Sequence, residues 1–336
     1  MTWFSKTWFL TAAVIAALAL AWPWRDLPGN WYAATSGQRP LLAVKSWHYQ
    51  LDKLELETAA KVDANMLVID YARLGGKVPL TREDVATLKT RADGRKRIVI
   101  SYLSIGEAEE FRWYWKPEWK TAKPDWLVEE NCAWPRAWMV RYWQQGWKDV
   151  IYAAPDAYLR RIIDAGFDGV YLDRVDMHEH TGDLNPASKA AMIDFVAALA
   201  ETARRIKPGF LIIPQNGEDM LDDRRYRRVI DAVAKEELLN SSTGTGQRND
   251  AKAIAAATRH LKQLSWDYKP VFPVEYLLTA EAIAKTRNEI RGLGFVPVFP
   301  TRALDGRDPT APGVTLDKEI GTPEYIATAC KDKRSW

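Results

Sequence analysis

The stretch Gly166-Phe-Asp-Gly-Val-Tyr-Leu-Asp173-Arg-Val-Asp176 joins a glycine that ends a helix to a short apolar run and two carboxylates. Such a run is typical of a strand buried on both faces of a parallel sheet, and the two acids come where the strand ends. An acid after a single strand is often only the cap of the next helix. This stretch becomes informative because the same pattern recurs along the chain.

Five other apolar runs are followed by acidic or amide side chains. Asp70 follows residues 66–69, Glu107 and Glu109 follow 98–106, Gln215, Asn216 and Glu218 follow 210–214, Glu236 and Glu237 follow 232–235, and Glu275 follows 271–274. In (β/α)8 barrels the catalytic residues come from the C-terminal ends of several strands. The sequence therefore predicts an α/β fold, a single-domain (β/α)8 TIM barrel with a site at its mouth.

The predicted strands are 41–47, 66–71, 97–103, 137–142, the run that ends at Asp173, 210–215, 229–235 and 270–274. Residues 294–300 are a ninth candidate, so either they or 41–47 would be extra in a closed barrel, or the strand numbering is shifted. A doubly wound open sheet is the alternative, but it would bind its ligand at one switch point, whereas these acids are spread along the chain. No glycine-rich nucleotide-binding motif follows the first strand.

Length and charge divide the chain of 336 residues into four parts. We predict a signal peptide or membrane anchor at 1–22, a linker at 23–40, the barrel domain at 41–300 and a C-terminal tail at 301–336. The net charge of +3 is too small and too evenly spread to indicate nucleic-acid binding. We expect a monomer.

The first 22 residues have the composition of an export segment. Residues 8–22 are apolar apart from Thr11, Lys6 precedes them, and Ala19-Leu20-Ala21 has the form of a signal-peptidase site. The run is shorter than the ~20 residues of a membrane span. We expect a secreted or periplasmic protein, with an uncleaved membrane anchor at residues 7–22 as the alternative. In such a compartment Cys132 and Cys330 could pair, although the sequence gives no geometry for it.

Two carboxylates that flank a glycosidic bond are sufficient to hydrolyse it. The natural pair is Asp173 and Glu236, from different strands. A glutamic acid in apolar surroundings has a raised pKa and can act as the proton donor, with Asp173 as the nucleophile, or as the base if the enzyme inverts. Asp176 and Glu237 are the neighbours that could take these roles instead.

The remaining acids would make a strongly negative cleft, which suits a cationic substrate such as a sugar polymer with free amines. The candidate substrate-binding residues are Asp70, Tyr102, Glu107, Glu109, Tyr142, Asp176, Gln215, Asn216, Glu218, Glu275 and Tyr276. No cofactor is expected. No metal is expected either, because His178-Glu179-His180 fits no familiar zinc spacing. Arg174 is interpreted as a structural ion-pair partner.

Eight of the sixteen tryptophans lie between Trp113 and Trp147. Indole rings can stack on sugars, but a long insertion also needs hydrophobic side chains to hold it together. We favour this structural explanation for most of them, and Trp113 or Trp143 is a candidate for lining the cleft.

Three motifs in order resemble glycoside-hydrolase family 114, the endo-α-1,4-polygalactosaminidase group. They are Tyr102-Leu-Ser-Ile-Gly106-Glu107-Ala-Glu109, the stretch from Gly166 to Asp176, and Gln215-Asn216-Gly217-Glu218. The resemblance covers roughly residues 41–300. It implies a barrel that acts on partly deacetylated α-1,4-galactosamine polymers, with the catalytic Asp on the fifth strand and the Glu on the seventh. The alternative function is a non-catalytic polysaccharide-binding barrel with the same acidic groove.

Overall fold

The computed structural model describes residues 39–241, 247–315 and 323–331. The strands are β1 Trp47–Gln50, β2 Met66–Ile69, β3 Ala72–Arg73, β4 Val78–Pro79, β5 Ile98–Ser104, β6 Glu107–Glu109, β7 Leu127–Glu130, β8 Ala137–Val140, β9 Gly169–Asp173, β10 Leu211–Pro214, β11 Val233–Glu236 and β12 Val271–Val274. The predicted segments 1–22 and nearly all of 23–40 lie outside these residues.

The α-helices are α1 Arg39–Leu42, α2 Leu56–Lys61, α3 Arg82–Leu88, α4 Gln145–Lys148, α5 Tyr158–Asp164, α6 Ser188–Ile206, α7 Arg224–Val229, α8 Ala251–Leu261, α9 Gln263–Trp266, α10 Ala280–Gly292 and α11 Pro323–Ala329. Single turns of 3-10 helix cover Pro117–Lys120, Val175–Glu179 and Glu218–Asp222, and a π-helical turn covers Asp149–Ala153. Among the residues described, none of the helices is both long enough and apolar enough to cross a membrane.

Eight parallel positions form a barrel. Five strands pair in the order β1-β2-β5-β9-β10, and a parallel bridge joins the end of β10 to β11. β11 pairs with β12, and a second bridge joins β12 to residues 296–298. The indole of Trp47 in β1 donates to the carbonyl of Val296 at 2.8 Å and so closes the circle. The (β/α)8 barrel prediction is confirmed.

Two strand predictions are wrong. Residues 137–140 form β8, which pairs antiparallel with β6 and β7 in a small sheet beside the barrel. Asp173 therefore ends the fourth barrel strand and Glu236 the sixth, instead of the fifth and seventh. Residues 41–47 contain the end of helix α1, and β1 begins only at Trp47. Residues 294–300 supply the eighth position. A short apolar run has the same sequence pattern in a parallel barrel and in a small antiparallel sheet, because the two arrangements differ only in the strand with which the run pairs.

The core has two layers because successive side chains of a strand point to opposite faces. Inside the barrel, apolar and tyrosine side chains fill the space, and Leu41 and Val44 close its lower end. Outside, the other faces of the strands pack against the helices, most extensively α6, where Phe195 and Leu199 are fully buried. Burying each such side chain stabilises the fold by roughly 1.5–3 kcal/mol.

The insertion between β5 and β9 is held together by its own tryptophans. Trp119 lies 5.4 Å from Trp115 and 5.0 Å from Trp126, measured between ring centroids, and Trp126 lies 5.0 Å from Trp147. These contacts support the structural explanation for most of the cluster. A disulfide also joins Cys132 of the insertion to Cys330, the residue after α11, and their Cα atoms are 5.3 Å apart.

Candidate active site

The C-terminal ends of four neighbouring barrel strands bring the candidate residues together. Asp173 ends β9, Gln215 follows β10, Glu236 ends β11 and Tyr276 lies two residues beyond β12. Since parallel strands all end at the same rim, side chains from positions far apart in the sequence meet there.

Sharp turns follow three of these strand ends. Arg174, Asn216 and Glu237 all adopt left-handed backbone conformations, with φ of 63°, 63° and 53°. Such a turn costs energy for a residue with a Cβ atom, and it directs consecutive side chains away from each other. Gly106 packs against the carbonyl of Arg174 so closely that a Cβ atom would overlap it.

The amide of Gln215 connects the two predicted catalytic carboxylates. Its Nε2 donates to Asp173 Oδ1 at 3.0 Å and to Glu236 Oε2 at 2.8 Å. Because both oxygens bind one nitrogen, these two oxygens are at most about 6 Å apart, and the two carboxyl groups lie side by side. Tyr49 and Tyr171 donate to Gln215 Oε1 and thereby fix the orientation of the amide.

Asp173 is held as a hydrogen-bond acceptor. Burial raises its pKa to about 6, and the nearby charge of Arg174, a hydrogen bond from the Tyr102 hydroxyl at 2.6 Å and one from the Arg174 backbone N–H at 2.8 Å oppose this rise only in part. These donors stabilise the carboxylate form.

Glu236 is in a less favourable place for a negative charge. Burial raises its pKa, and the charge of Asp173 raises it further, while the hydroxyl of Tyr276 donates to Oε1 and partly opposes the shift. Two adjacent carboxyl groups in such a site divide into an ionised and a protonated member.

The neighbours that could compete for these roles are oriented elsewhere. The carboxylate of Glu237 pairs with Arg302 at 3.2 Å. Asp176 lies on the 3-10 turn after Asp173; its Oδ2 is 3.5 Å from Asn216 Nδ2, and its buried Oδ1 accepts no hydrogen bond from the described residues. The geometry therefore groups Asp173 with Glu236.

The expectation of a strongly negative cleft needs correction, because the surrounding acids are largely neutralised. Arg112 is buried between Asp70 at 2.8 Å and Glu109 at 2.6 Å, and burial raises the pKa of Glu109 to about 7. Arg174 is 3.3 Å from Glu107, and Lys235 is 3.2 Å from Glu218. Arginines and a lysine supply these counter-charges, and all but the Arg112–Glu109 pair join residues distant in sequence. The structural ion pair predicted for Arg174 is present.

Two predicted substrate-binding residues make other contacts. The carboxylate of Glu275 is fully buried and accepts hydrogen bonds from the backbone N–H groups of Leu239 at 2.7 Å and Asn240 at 3.0 Å. The hydroxyl of Tyr142 contacts Thr181 at 3.2 Å and the carbonyl of Ser188 at 3.0 Å. Both stabilise loops around the barrel, and neither is brought to the carboxylate pair.

One exposed aromatic side chain, which Arg302 links to Tyr276, was not among the candidates. Trp134 is 40% exposed, and the guanidinium of Arg302 lies 5.6 Å from its ring and 5.8 Å from the ring of Tyr276. Trp113 instead packs beneath Arg161 at 3.7 Å, and Trp143 packs on the hydrophobic core. The sequence alone does not distinguish this exposed tryptophan from the packed tryptophans around it.

One group of side chains has the spacing of a metal site, namely His178, Glu179 and Asp219. Both ring nitrogens of His178 already have partners, the carbonyl of Val175 at 3.0 Å and the carboxylate of Asp219 at 3.1 Å. Asp219 also pairs with Lys189 at 2.8 Å. These contacts describe an ion-pair network rather than a set of open metal ligands.

A parallel barrel with a closely spaced carboxylate pair at its C-terminal rim defines a protein of the glycoside-hydrolase class. The sequence profile of glycoside-hydrolase family GH114 matches residues 30–315, and the chain belongs to this family.

The chain is also similar to other proteins. An uncharacterised protein of Thermotoga maritima is 34% identical over 69% of this chain and 71% of its own length. One from Deinococcus radiodurans is 34% identical over 65% and 68%, respectively. The glycoside hydrolase domain of PelA from Pseudomonas aeruginosa has the same fold, with a TM-score of 0.59 and 20% identity over 78% of this chain and 97% of that one.

Proposed function

We propose that this protein is a retaining endo-glycosidase that cleaves α-1,4 bonds in a partly deacetylated, galactosamine-containing exopolysaccharide. The observation that carries the proposal is the single amide nitrogen of Gln215, which binds one oxygen of Asp173 and one of Glu236. This shared partner holds the two carboxyl groups close together, and a short separation of the pair supports direct attack by one carboxylate over activation of a water molecule.

The two environments support one assignment of the two roles. Asp173, with the Tyr102 hydroxyl and a backbone N–H donating to it, is stabilised as the ionised nucleophile that attacks the anomeric carbon. Glu236, whose pKa is raised by burial and by the charge of Asp173, keeps its proton and delivers it to the leaving oxygen. In the second step the Glu236 carboxylate takes a proton from water, and this water releases the sugar from Asp173.

The substrate proposal rests on the resemblance and on Asp176. Its Oδ1 is a buried acceptor without a hydrogen-bond donor among the described residues, one turn from the nucleophile. A buried, unsatisfied carboxylate oxygen is costly, and the ammonium group of a deacetylated sugar would satisfy it. The site would thus recognise a single amino group of the sugar polymer through Asp176. The overall charge of the cleft would contribute less to substrate binding, because most of its acids are paired.

We also propose that the protein works outside the cytoplasm, secreted or in a periplasm. The disulfide between Cys132 and Cys330 supports this, since such bonds persist in oxidising compartments. The apolar residues 8–22 are consistent with export.

The test is reducing-end release from partly deacetylated poly-α-1,4-galactosamine by the wild type, Asp173→Asn and Glu236→Gln. We expect cleavage by the wild type and its loss in both variants. If one variant keeps full activity, the assignment at that position is wrong and Asp176 or Glu237 is the next choice. If the wild type binds the polymer without cleaving it, the protein is a polysaccharide-binding barrel.

A further inference from the structure

The end of the barrel opposite the carboxylate pair has an unusual surface. We call it the N-terminal face, meaning the loops that lead into the eight parallel positions, namely 43–46, 62–65, 89–97, 165–168, 207–210, 230–232, 267–270 and 293–295, together with the helix ends that feed them. Backbone hydrogen bonds link neighbouring loops, for example Asn65 to the carbonyl of Ser46 at 2.9 Å and Leu211 to that of Asp168 at 3.0 Å.

Seven exposed cations lie on this face. They are Lys45, Lys61, Arg95, Lys96, Arg205, Arg228 and Arg291. Four exposed acids lie among them: Asp63 and Asp93, which form ion pairs with the buried Arg91, Asp164 at the end of α5 and Glu289 in the last turn of α10. The face is therefore basic, although the whole chain carries a net charge of only +3.

Exposed apolar side chains lie on the rim of the same face. Trp266 is 77% exposed and Tyr268 is 57% exposed, and both come shortly before β12. Leu42 at the end of α1 is 45% exposed and Ile206 at the end of α6 is 39% exposed. A tryptophan and a tyrosine close to lysines and arginines are the side chains that settle at a membrane–water interface.

The chain also enters the fold on this face. Helix α1 starts at residue 39, and Leu41 is buried in the lower end of the barrel. The apolar residues 8–22 precede it in the sequence, separated by residues 23–38. Even a fully extended linker of this length reaches at most about 55 Å, so an apolar segment held in a bilayer would keep this face near the lipid surface.

We propose that the N-terminal face docks on an anionic phospholipid bilayer, which directs the carboxylate pair away from the membrane and towards soluble polymer. The cations attract acidic headgroups, and the exposed aromatic side chains enter the interface. This orientation is independent of the bond that the enzyme cleaves.

Oriented docking can be measured on the full chain with one fluorescent label. The two natural cysteines are joined in a disulfide, so an added cysteine is the site of labelling under non-reducing conditions. Ser265→Cys places the label next to Trp266, and Leu184→Cys places it on the exposed loop after β9, at the opposite end. Neither position belongs to the carboxylate site, so both variants serve in the same assay.

The protein is reconstituted in vesicles of phosphatidylglycerol and phosphatidylcholine that contain a lipid with a quencher at the headgroup. We expect the label at position 265 to be quenched at least about threefold more than the label at 184. The difference should shrink in pure phosphatidylcholine, at high salt, or when Trp266→Ala and Tyr268→Ala are combined with the label.

Equal quenching at both positions would overturn the proposal, because the barrel would then have no preferred orientation. Stronger quenching at 184 than at 265 would also overturn the proposal, because the opposite end of the barrel would then face the membrane. Quenching at 265 that is the same in pure phosphatidylcholine would exclude an anionic surface as the partner. Retained hydrolysis by each labelled variant shows that the barrel is folded, so that loss of docking is not confused with unfolding.

Discussion

Replacing Tyr276 by phenylalanine should raise the pKa of Glu236 and move the alkaline limb of the pH–rate profile to higher pH. The hydroxyl of Tyr276 donates to Glu236 Oε1, and a hydrogen bond to the ionised form lowers a pKa. A hydrogen bond to a charged group contributes about 1.5–3 kcal/mol, and 1.36 kcal/mol corresponds to one pKa unit. The expected shift is therefore about one to two pKa units. The alkaline limb moves to higher pH because the general acid keeps its proton over a wider pH range.

The matched variant acts on the other carboxylate. The hydroxyl of Tyr102 donates to Asp173 Oδ2 at 2.6 Å, so Tyr102→Phe should raise the pKa of Asp173 by a similar amount. Because the nucleophile must be ionised, the acidic limb now moves to higher pH and the profile becomes narrower. Tyr276→Phe widens the profile, and Tyr102→Phe narrows it.

The assay is kcat/KM for reducing-end release across the pH range, which reports the ionisations of the free enzyme. The two carboxyl groups interact, so each limb is a property of the pair, but the direction in which each variant moves it is still distinctive. If Tyr276→Phe moved the acidic limb and Tyr102→Phe the alkaline limb, the roles of Asp173 and Glu236 would be exchanged. Profiles unchanged in both variants would refute the reasoning altogether.

Three further predictions test the surroundings of the pair. Arg112→Met should lower the free energy of unfolding by about 3–5 kcal/mol, because two buried carboxylates lose their counter-charge. Arg160→Met breaks an exposed ion pair and should lower it by less than about 1 kcal/mol. Urea unfolding measures both changes, and equal losses of stability would contradict the account. Trp134→Ala should raise KM for long polymer severalfold and leave kcat/KM for a short chromogenic substrate nearly unchanged, if the exposed ring supports a distant sugar unit. Gly106→Ala should lower kcat because the added methyl group displaces a backbone carbonyl at the strand end, while Gly182→Ala, which meets no neighbour within 4 Å, should behave as wild type in the same kinetic assay.

The barrel and the family were predictable from sequence because their signals are local. An apolar run followed by an acid is read from adjacent residues, and its repetition requires a parallel sheet with one functional rim. The catalytic roles of Asp173 and Glu236 stay a prediction. Their proximity follows from the repeated pattern, because both acids end strands of one parallel barrel. The strand count went wrong at 137–142, since an apolar run of this length does not reveal whether its partner is parallel or antiparallel.

Only the tertiary structure decided which charges remain in the site. Arg112, Arg174, Lys235 and Arg302 neutralise acids that the sequence analysis treated as free, and Glu275 is turned to a loop. Glu237 is in the left-handed conformation and its carboxylate pairs with Arg302, whereas that of Glu236 binds Gln215. Most of these ion pairs join residues that are distant in sequence and are brought together by folding, whereas a strand and the acid at its end are neighbours along the chain.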